Sequence, residues 1–139
     1  MDCVSITITG EQRDPRGHKE KVNQKMQGKY YCRNGKHYVR YSDQSVDKEH
    51  PVQTTLKASA DEVMILRRGP INTDQRFLLQ QETSAAYQTP YGVMDLLMRT
   101  NHMQVEFSEV EGLVRLQYEM AANGQQVGLY DLRIQVKPI

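Results

Sequence analysis

The sequence predicts an all-β fold: a single-domain antiparallel barrel of about eight to ten strands in up-and-down order. Three observations support this class. Apolar residues recur at every second position along most of the chain, and short clusters of turn residues separate these runs. No segment repeats apolar residues at helical spacing over more than about two turns. Closure of the sheet is favoured because it hides the strand edges, and one domain is expected over residues 1–139.

The first part of the chain contains the clearest strand signals. Val4, Ile6 and Ile8 alternate with serine and threonine, which predicts a half-buried strand of β-branched residues. Asn34-Gly35 stands between two alternating runs and is the preferred type I′ hairpin turn. The resulting register pairs Arg33 with Lys36, Cys32 with His37, Tyr31 with Tyr38, Tyr30 with Val39 and Gly28 with Tyr41.

This hairpin has one face for the core and one for water. The inward face is predicted to carry Val22, Gln24, Met26, Gly28, Tyr30, Cys32, His37, Val39 and Tyr41. The outward face carries most of the cations, and a slip of one residue would bury them, so both strands specify the same register. Cys32 and His37 are expected to be neighbours, as a small buried thiol beside a partly exposed histidine.

The later strands follow at similar spacing. Alternation predicts strands at 52–58, 63–67, 75–79, 83–88, 94–100, 103–107, 114–120 and 130–136. A polar loop is expected over 42–51, and turns at 60–62, 89–92 and Asn123-Gly124. We interpret Asn101-His102 as the connection between two arms of a hairpin.

Composition and charge narrow the classes of function. Eighteen Lys plus Arg against seventeen Asp plus Glu give a formal charge of +1, so binding to nucleic acid would have to be local. No secretory signal is visible in residues 1–10, and no apolar run approaches the roughly 18–20 residues of a membrane span. We expect a cytoplasmic protein without a membrane partner, in which Cys3 and Cys32 are thiols.

The sequence carries no recognisable catalytic or metal-binding motif. There is no GxSxG elbow and no glycine-rich phosphate loop. The soft or borderline ligands, two cysteines and four histidines, do not fall at metal spacing. No metal, no cofactor and a non-enzymatic protein are expected, while a barrel can still assemble a site from residues distant in sequence.

The inner face is the first candidate binding site. It is rich in methionine and tyrosine, which suit either a packed core or a pocket for a small, partly apolar ligand. Arg67 shares parity with Val63 and Ile65, so it points inward and needs a carboxylate, a backbone carbonyl or a bound anion as partner. The candidate lumen residues are Tyr30, Tyr41, Arg67, Tyr87, Met98, Tyr118 and Tyr130.

The outer face of the first hairpin is the alternative site, for RNA or another acidic partner. Cations beside stacking aromatics are typical of single-strand binding, although cations on a strand also serve to discourage edge pairing. These outward residues are Lys29, Tyr31, Arg33, Lys36, Tyr38 and Arg40. A third hypothesis is a self-associating structural protein, such as a homodimer, that uses an exposed edge strand.

Five segments of the chain resemble a known family. Thr54-Thr55-Leu56-Lys57, Arg67-x-Gly69, Gln75-Arg76-Phe77, Tyr87-x-Thr89-Pro90-Tyr91-Gly92 and Thr100 match in order and spacing the YwiB-like family of small bacterial proteins of unknown function. The resemblance implies a calycin-like, lipocalin-type barrel in a cytosolic setting, and it supplies no catalytic residues. One departure is visible, because this chain has residues 78–81 without the glycine that the family often places shortly after Phe77.

Overall fold

A computed structural model describes residues 2–139, and ten strands make up almost all of that range. They are β1 (Asp2–Arg13), β2 (Lys19–Arg33), β3 (Lys36–Asp43), β4 (Val52–Ala58), β5 (Glu62–Arg68), β6 (Asn72–Leu78), β7 (Glu82–Thr89), β8 (Gly92–Ser108), β9 (Glu111–Ala122) and β10 (Gln125–Pro138). Each strand pairs antiparallel with its neighbours in the chain, and β1 also pairs with β10, which closes the barrel. The predicted class, strand order and strand number are confirmed. Within the described residues, no helix is long and apolar enough to cross a membrane.

The two Asn-Gly turns have the predicted geometry. Asn34 and Gly35 have φ angles of 53° and 74°, and Asn123 and Gly124 have 49° and 80°, as a type I′ turn requires at both central positions. The β2–β3 pairing then runs from Arg33–Lys36 to Lys29–Arg40, which confirms the predicted register, and the predicted pair Gly28–Tyr41 lies just beyond the end of this pairing. A turn of two residues therefore determined which hairpin side chains face the barrel interior.

The predicted break at Asn101-His102 is wrong, because β8 is one strand. Its pairing with β9 shifts between Thr100 and His102, where a β-bulge adds one residue. The bulge moves the inward positions from even to odd numbers, so Met98 and Met103 face the same interior. The sequence does change from even to odd apolar positions here, and a bulge rather than a turn causes this change.

The inward face of β2 is less buried than predicted. β3 pairs with β2 only from Lys29 onward, so the first part of β2 extends beyond β3, and Val22 is 49% exposed. Cys32 is also exposed rather than buried, because it lies next to the hairpin tip. Tyr30 contacts the paired histidine instead, with its hydroxyl 2.7 Å from Nδ1 of His37.

In the β6–β7 connection, a residue other than glycine adopts the left-handed conformation. Gln80 has a φ of 58°, a left-handed conformation that glycine adopts more easily. Its N–H donates to the carbonyl of Thr100 at 2.7 Å, and Leu79 forms a bridge to the same residue. This connection therefore packs against β8 at the point of the bulge.

The two ends of the barrel differ in their connections and in the residues buried near them. The terminus end carries both chain termini and the tight connections β2–β3, β4–β5, β6–β7 and β8–β9. The long-loop end carries the other five connections, including residues 14–18 and 44–51. Most of the buried apolar core lies in the middle and toward the terminus end: Val4, Ile6, Val39, Leu56, Ala58, Val63, Phe77, Val114, Leu116, Ile134 and Val136. We call these residues the apolar half.

Candidate functional site

The interior toward the long-loop end has polar walls. The strand registers place polar side chains at inward positions on most strands of this end, and the apolar Val52, Leu96 and Met120 lie among them. The polar residues of this interior, which we call the polar half, are Gln12, Glu20, Tyr41, Asp43, Thr54, Arg67, Thr73, Tyr87, Thr100, Tyr118 and Tyr130. Thr100 lies at the inner limit of this half, where the β6–β7 connection contacts it. Buried polar groups need hydrogen-bond partners. The partners that these side chains find, or lack, therefore decide what the site can bind.

An ion pair lies inside this half. The guanidinium Nη2 of Arg67 is 3.0 Å from Oδ2 of Asp43, and the two side chains are only 19% and 11% exposed. Arg67 therefore points inward as predicted and has the carboxylate partner that burial demands. Among the described residues, this is the one side-chain hydrogen bond that its guanidinium makes. An arginine has five N–H donors, so most of its donor capacity has no protein acceptor.

Two tyrosines lie close to this pair. Burial raises the pKa of Tyr41 to about 12, with the charge of Asp43 adding to the shift and that of Arg67 opposing it. Burial also raises the pKa of Tyr118, again opposed by Arg67. Both hydroxyls are therefore neutral near pH 7 and can donate hydrogen bonds into the polar half. Below them, the Tyr118 ring packs on Phe77 at a centroid distance of 4.8 Å, at the border with the apolar half.

A small cavity opens beside Tyr118 at the mouth of the barrel. Its volume is about 180 Å³, and its walls include Ile8, Gly10, Gln12, Glu20, Val22, Tyr118, Tyr130 and Leu132. The rings of Tyr118 and Tyr130 stack in parallel at 5.1 Å and form one wall. The pKa of Tyr130 is raised by burial first and then by Glu20 and Tyr87, which places both near its hydroxyl. β2 extends past β3 at this end, and its residues Glu20 and Val22 line the cavity.

Two hydroxyl groups in the polar half have no partner. Oγ1 of Thr73 and Oγ1 of Thr100 are fully enclosed, and neither makes a hydrogen bond within residues 2–139. Thr73 pairs across the sheet with Arg67 and Tyr87, and Thr100 pairs with Tyr118. A buried polar atom without a partner costs about 1–3 kcal/mol. This interior is therefore not optimised for stability.

The structure divides the predicted lumen residues into three groups. Tyr41, Arg67, Tyr87, Tyr118 and Tyr130 come together at the long-loop end. Met98 is fully buried in the core, where Nε2 of Gln75 lies 3.3 Å from its Sδ.

Tyr30 is at the opposite end of the barrel, in an aromatic cluster. Its ring and that of His37 both stack on Phe107, at 5.6 and 4.2 Å. Burial lowers the pKa of His37, so its imidazole is neutral at pH 7. Tyr30 therefore cannot share a site with Arg67.

The sequence missed several residues of the polar half, notably Asp43, Thr73 and Glu20. Their parity was available, since Asp43 follows Tyr41 by two positions and Thr73 precedes Gln75 by two. In the sequence, a polar residue at the inward end of a strand looks the same as the first polar residue of the following loop. The ion pair joins β3 to β5, which no local pattern predicts.

The alternative site has the predicted arrangement on the outside of the hairpin. Tyr31 and Tyr38 stack at 4.6 Å with an interplanar angle of 4°, and Nζ of Lys57 lies 5.7 Å from the Tyr38 centroid. The four predicted cations are exposed around this pair: Lys29, Arg33, Lys36 and Arg40.

Cys3 and Cys32 are free thiols, and in the described part of the chain no cluster of His, Cys, Asp and Glu could hold a metal ion.

Comparison with known proteins places this barrel in a family. Residues 6–134 match the model of a domain of unknown function, DUF1934. The uncharacterized beta-barrel protein YwiB of Bacillus subtilis (strain 168) is 29% identical over 121 residues, which cover 85% of this chain and 82% of that protein. The crystal structure of the ywiB protein from Bacillus subtilis superposes with a TM-score of 0.87 at 23% identity, over 99% of this chain and 92% of that chain. The resemblance to the YwiB-like family is thus confirmed, and this chain belongs to the DUF1934 family.

Proposed function

We propose that the long-loop end of the barrel binds a small ligand with an anionic group, seated on Arg67. The observation that carries this proposal is a mostly buried guanidinium that uses one hydrogen bond, to Asp43. Its other N–H groups suit a carboxylate or phosphate, which arginine binds through two parallel hydrogen bonds. The neutral hydroxyls of Tyr41 and Tyr118 supply further donors beside it.

The mouth of the barrel suits the rest of such a ligand. Tyr118 belongs both to the surroundings of Arg67 and to the wall of the cavity, so this side chain links the guanidinium to the cavity. The stacked Tyr118–Tyr130 pair and Val22 favour an apolar or planar body. Glu20 at the rim favours a donor or a cationic group at the outer end. A volume of about 180 Å³ is below the roughly 300 Å³ of drug-sized pockets, which indicates a small metabolite.

The class of fold supports this proposal. Small barrels either fill the lumen with side chains or hold one small ligand. Side chains fill most of this barrel, and a small cavity opens beside Tyr118 at the long-loop end. A calycin-like, lipocalin-type architecture and a cytoplasmic location, both implied by the resemblance to the YwiB-like family, belong to the proposal. The protein would act as a binding protein without catalysis.

The test uses two ion pairs on consecutive residues. Arg67 pairs with Asp43 inside the barrel, and Arg68 pairs with Asp74 at 2.7 Å on the outside. The double variant Arg67→Gln/Asp43→Asn removes the inner charges without leaving one of them unpaired. Arg68→Gln/Asp74→Asn makes the same change on the outer surface and is the matched control.

The measurement is native mass spectrometry of freshly purified protein, followed by thermal-shift titration with a panel of small carboxylates and phosphates. We expect a retained small molecule, or a panel compound that stabilises the protein, for the wild type and the outer variant, with loss of the effect in the inner variant. Equal binding by both double variants, or binding by neither them nor the wild type, would contradict the proposal.

A further inference from the structure

The outer surface of the barrel is divided by charge. Outward positions on β10, β1, β2 and β3 carry Lys25, Lys29, Lys36, Arg40, Arg133 and Lys137, which we call the basic face. None of these six is ion-paired with a carboxylate of residues 2–139. The outward carboxylates are concentrated on β5 to β9 and include Glu62, Asp74, Glu82, Asp95, Glu106 and Glu119. A chain of formal charge +1 therefore has one strongly positive side.

The two outward carboxylates near the basic face are already paired. Glu11 lies 3.8 Å from Lys19, and Asp131 lies 3.1 Å from Arg115, both toward the long-loop end. The hydrogen bond from Arg115 is the main cause that lowers the pKa of Asp131. Arg133 of the basic face also acts on Asp131 and lowers its pKa. The remaining five cations of the face present uncompensated charge to a partner.

A row of hydroxyl groups runs between the cations. The outward residues of β1 are Ser5, Thr7 and Thr9. Ser5 pairs with Lys137 on one side, and Thr7 pairs with Lys25 on the other. Hydroxyls that lie between cations can bond to phosphate and sugar oxygens, and they can serve the 2′-hydroxyl of a ribose as donor or acceptor.

The stacked Tyr31–Tyr38 pair lies at the end of the same surface. Tyr31 is two residues from Lys29 on β2, and Tyr38 is two residues from Arg40 on β3. From Lys25 to Arg33 the strand spans about 26 Å, at roughly 3.3 Å per residue. Cations along a surface with aromatic rings at one end are the arrangement that single-stranded nucleic acid requires, because phosphates need charge and bases need a stacking partner.

We propose that the basic face binds a single strand of RNA, with phosphates on the cations and a base on the tyrosine pair. RNA is favoured over DNA by the hydroxyl row of β1. Duplex RNA fits less well, because its stacked bases cannot reach the tyrosines. This site is on the outside of the barrel and is independent of the ligand site at the long-loop end.

The first experiment measures the binding of labelled oligouridylate of about 12 nucleotides, a length within single-strand site sizes, by fluorescence polarisation. Affinity should fall as salt rises, with a slope of log K against log salt of about −0.7 for each phosphate contact. Single-stranded DNA of the same length should bind more weakly, and duplex RNA more weakly still. Equal binding of DNA and RNA would overturn the assignment to RNA, and no binding at low salt would overturn the site.

A pair of charge-matched variants tests the location. Lys25→Gln/Arg40→Gln removes two cations of the basic face, and Lys48→Gln/Arg99→Gln removes two exposed cations elsewhere. The first variant should reduce the salt slope by about 1.4 and weaken binding, since each lost contact removes about 0.7. The second should leave the slope unchanged. Equal effects of both variants would mean attraction by net charge only and would overturn the proposal.

A second pair of variants tests the tyrosines. Tyr31→Ala should weaken RNA binding roughly 5- to 150-fold, because stacking on one base contributes about 1–3 kcal/mol. Tyr91→Ala removes a fully exposed tyrosine in the β7–β8 turn and should have no effect. Thermal unfolding of both variants shows whether Tyr31→Ala still folds, and Tyr31→Phe should retain the affinity. Unchanged binding by folded Tyr31→Ala would contradict the proposed stacking.

Discussion

The two halves of the barrel interior are filled by different kinds of side chain. In the apolar half, side chains such as Phe77 and Leu116 are fully buried and pack against one another. In the polar half, an ion pair, several tyrosines and two threonine hydroxyls without partners occupy equivalent inward positions. The same strands build both halves, so the difference arises from the residues and not from the backbone.

This difference indicates a division of roles. Burial of apolar surface stabilises the fold wherever it occurs, whereas buried charges and unpaired hydroxyls cost free energy. In this barrel such groups are confined to the polar half, so the loss of stability is also confined to that half. A binding role for the polar half accounts for this loss. Four changes test whether the halves differ in this way.

The largest effect is expected in the apolar half. Phe77→Ala should lower the free energy of unfolding by about 3–5 kcal/mol, because it leaves a cavity in the packed core. Phe107→Ala, at the partly exposed terminus end, should cost clearly less. Urea titration monitored by circular dichroism measures both values. If Phe77→Ala cost less than Phe107→Ala, the core would not be centred where the structure has it.

The ion pair of the polar half comes next. Asp43→Ala leaves Arg67 without its partner and should cost about 2–3 kcal/mol, somewhat less than a fully enclosed pair because both side chains retain some exposure. Asp74→Ala breaks the exposed pair with Arg68, and less than about 1 kcal/mol is expected. The same denaturant titration compares them. Similar small costs would mean that the inner pair is effectively solvated.

Alkaline pH provides a third test. Tyr41 has a folded pKa of about 12, against about 10 in the unfolded chain, so unfolding releases its proton more easily as pH rises. Its stabilising contribution is complete below about pH 10 and declines, by roughly 2–3 kcal/mol in all, as pH rises through the folded pKa. Unfolding titrations of the wild type and Tyr41→Phe across this range should show a weaker pH dependence in the variant. Tyr91→Phe, at a fully exposed position, should behave as the wild type.

The smallest effect concerns the unpaired hydroxyls. Thr100→Val removes a buried oxygen that has no hydrogen-bond partner among residues 2–139 and should raise the free energy of unfolding by about 1 kcal/mol. Thr7→Val, on the outer face, should change it by less than about 0.5 kcal/mol. Thermal and urea unfolding measure both. A destabilised Thr100→Val would show that the hydroxyl is satisfied in solution and that the polar half is better paired than described.

Much of this architecture was readable from alternation and turn residues. Asn34-Gly35 specified the first hairpin to the residue, because a type I′ turn leaves one register. Val4, Ile6 and Ile8 were correctly placed in the core. The bulge at Thr100 was mistaken for a turn, because both change the parity of apolar residues and only the partner strand distinguishes them. Alternation places Val22 on the inward face but does not say whether another strand covers it, and the structure leaves Val22 49% exposed.

The sequence by itself therefore determined the all-β class, the up-and-down order and the inward or outward direction of the residues of the first hairpin. These follow from a side-chain period of two and from turns of fixed geometry, which are local properties. Only the tertiary structure decided that Arg67 meets Asp43, that Tyr30 lies at the other end from Tyr118, and that the cations gather on one side. Those facts depend on how strands far apart in the chain meet around a closed barrel.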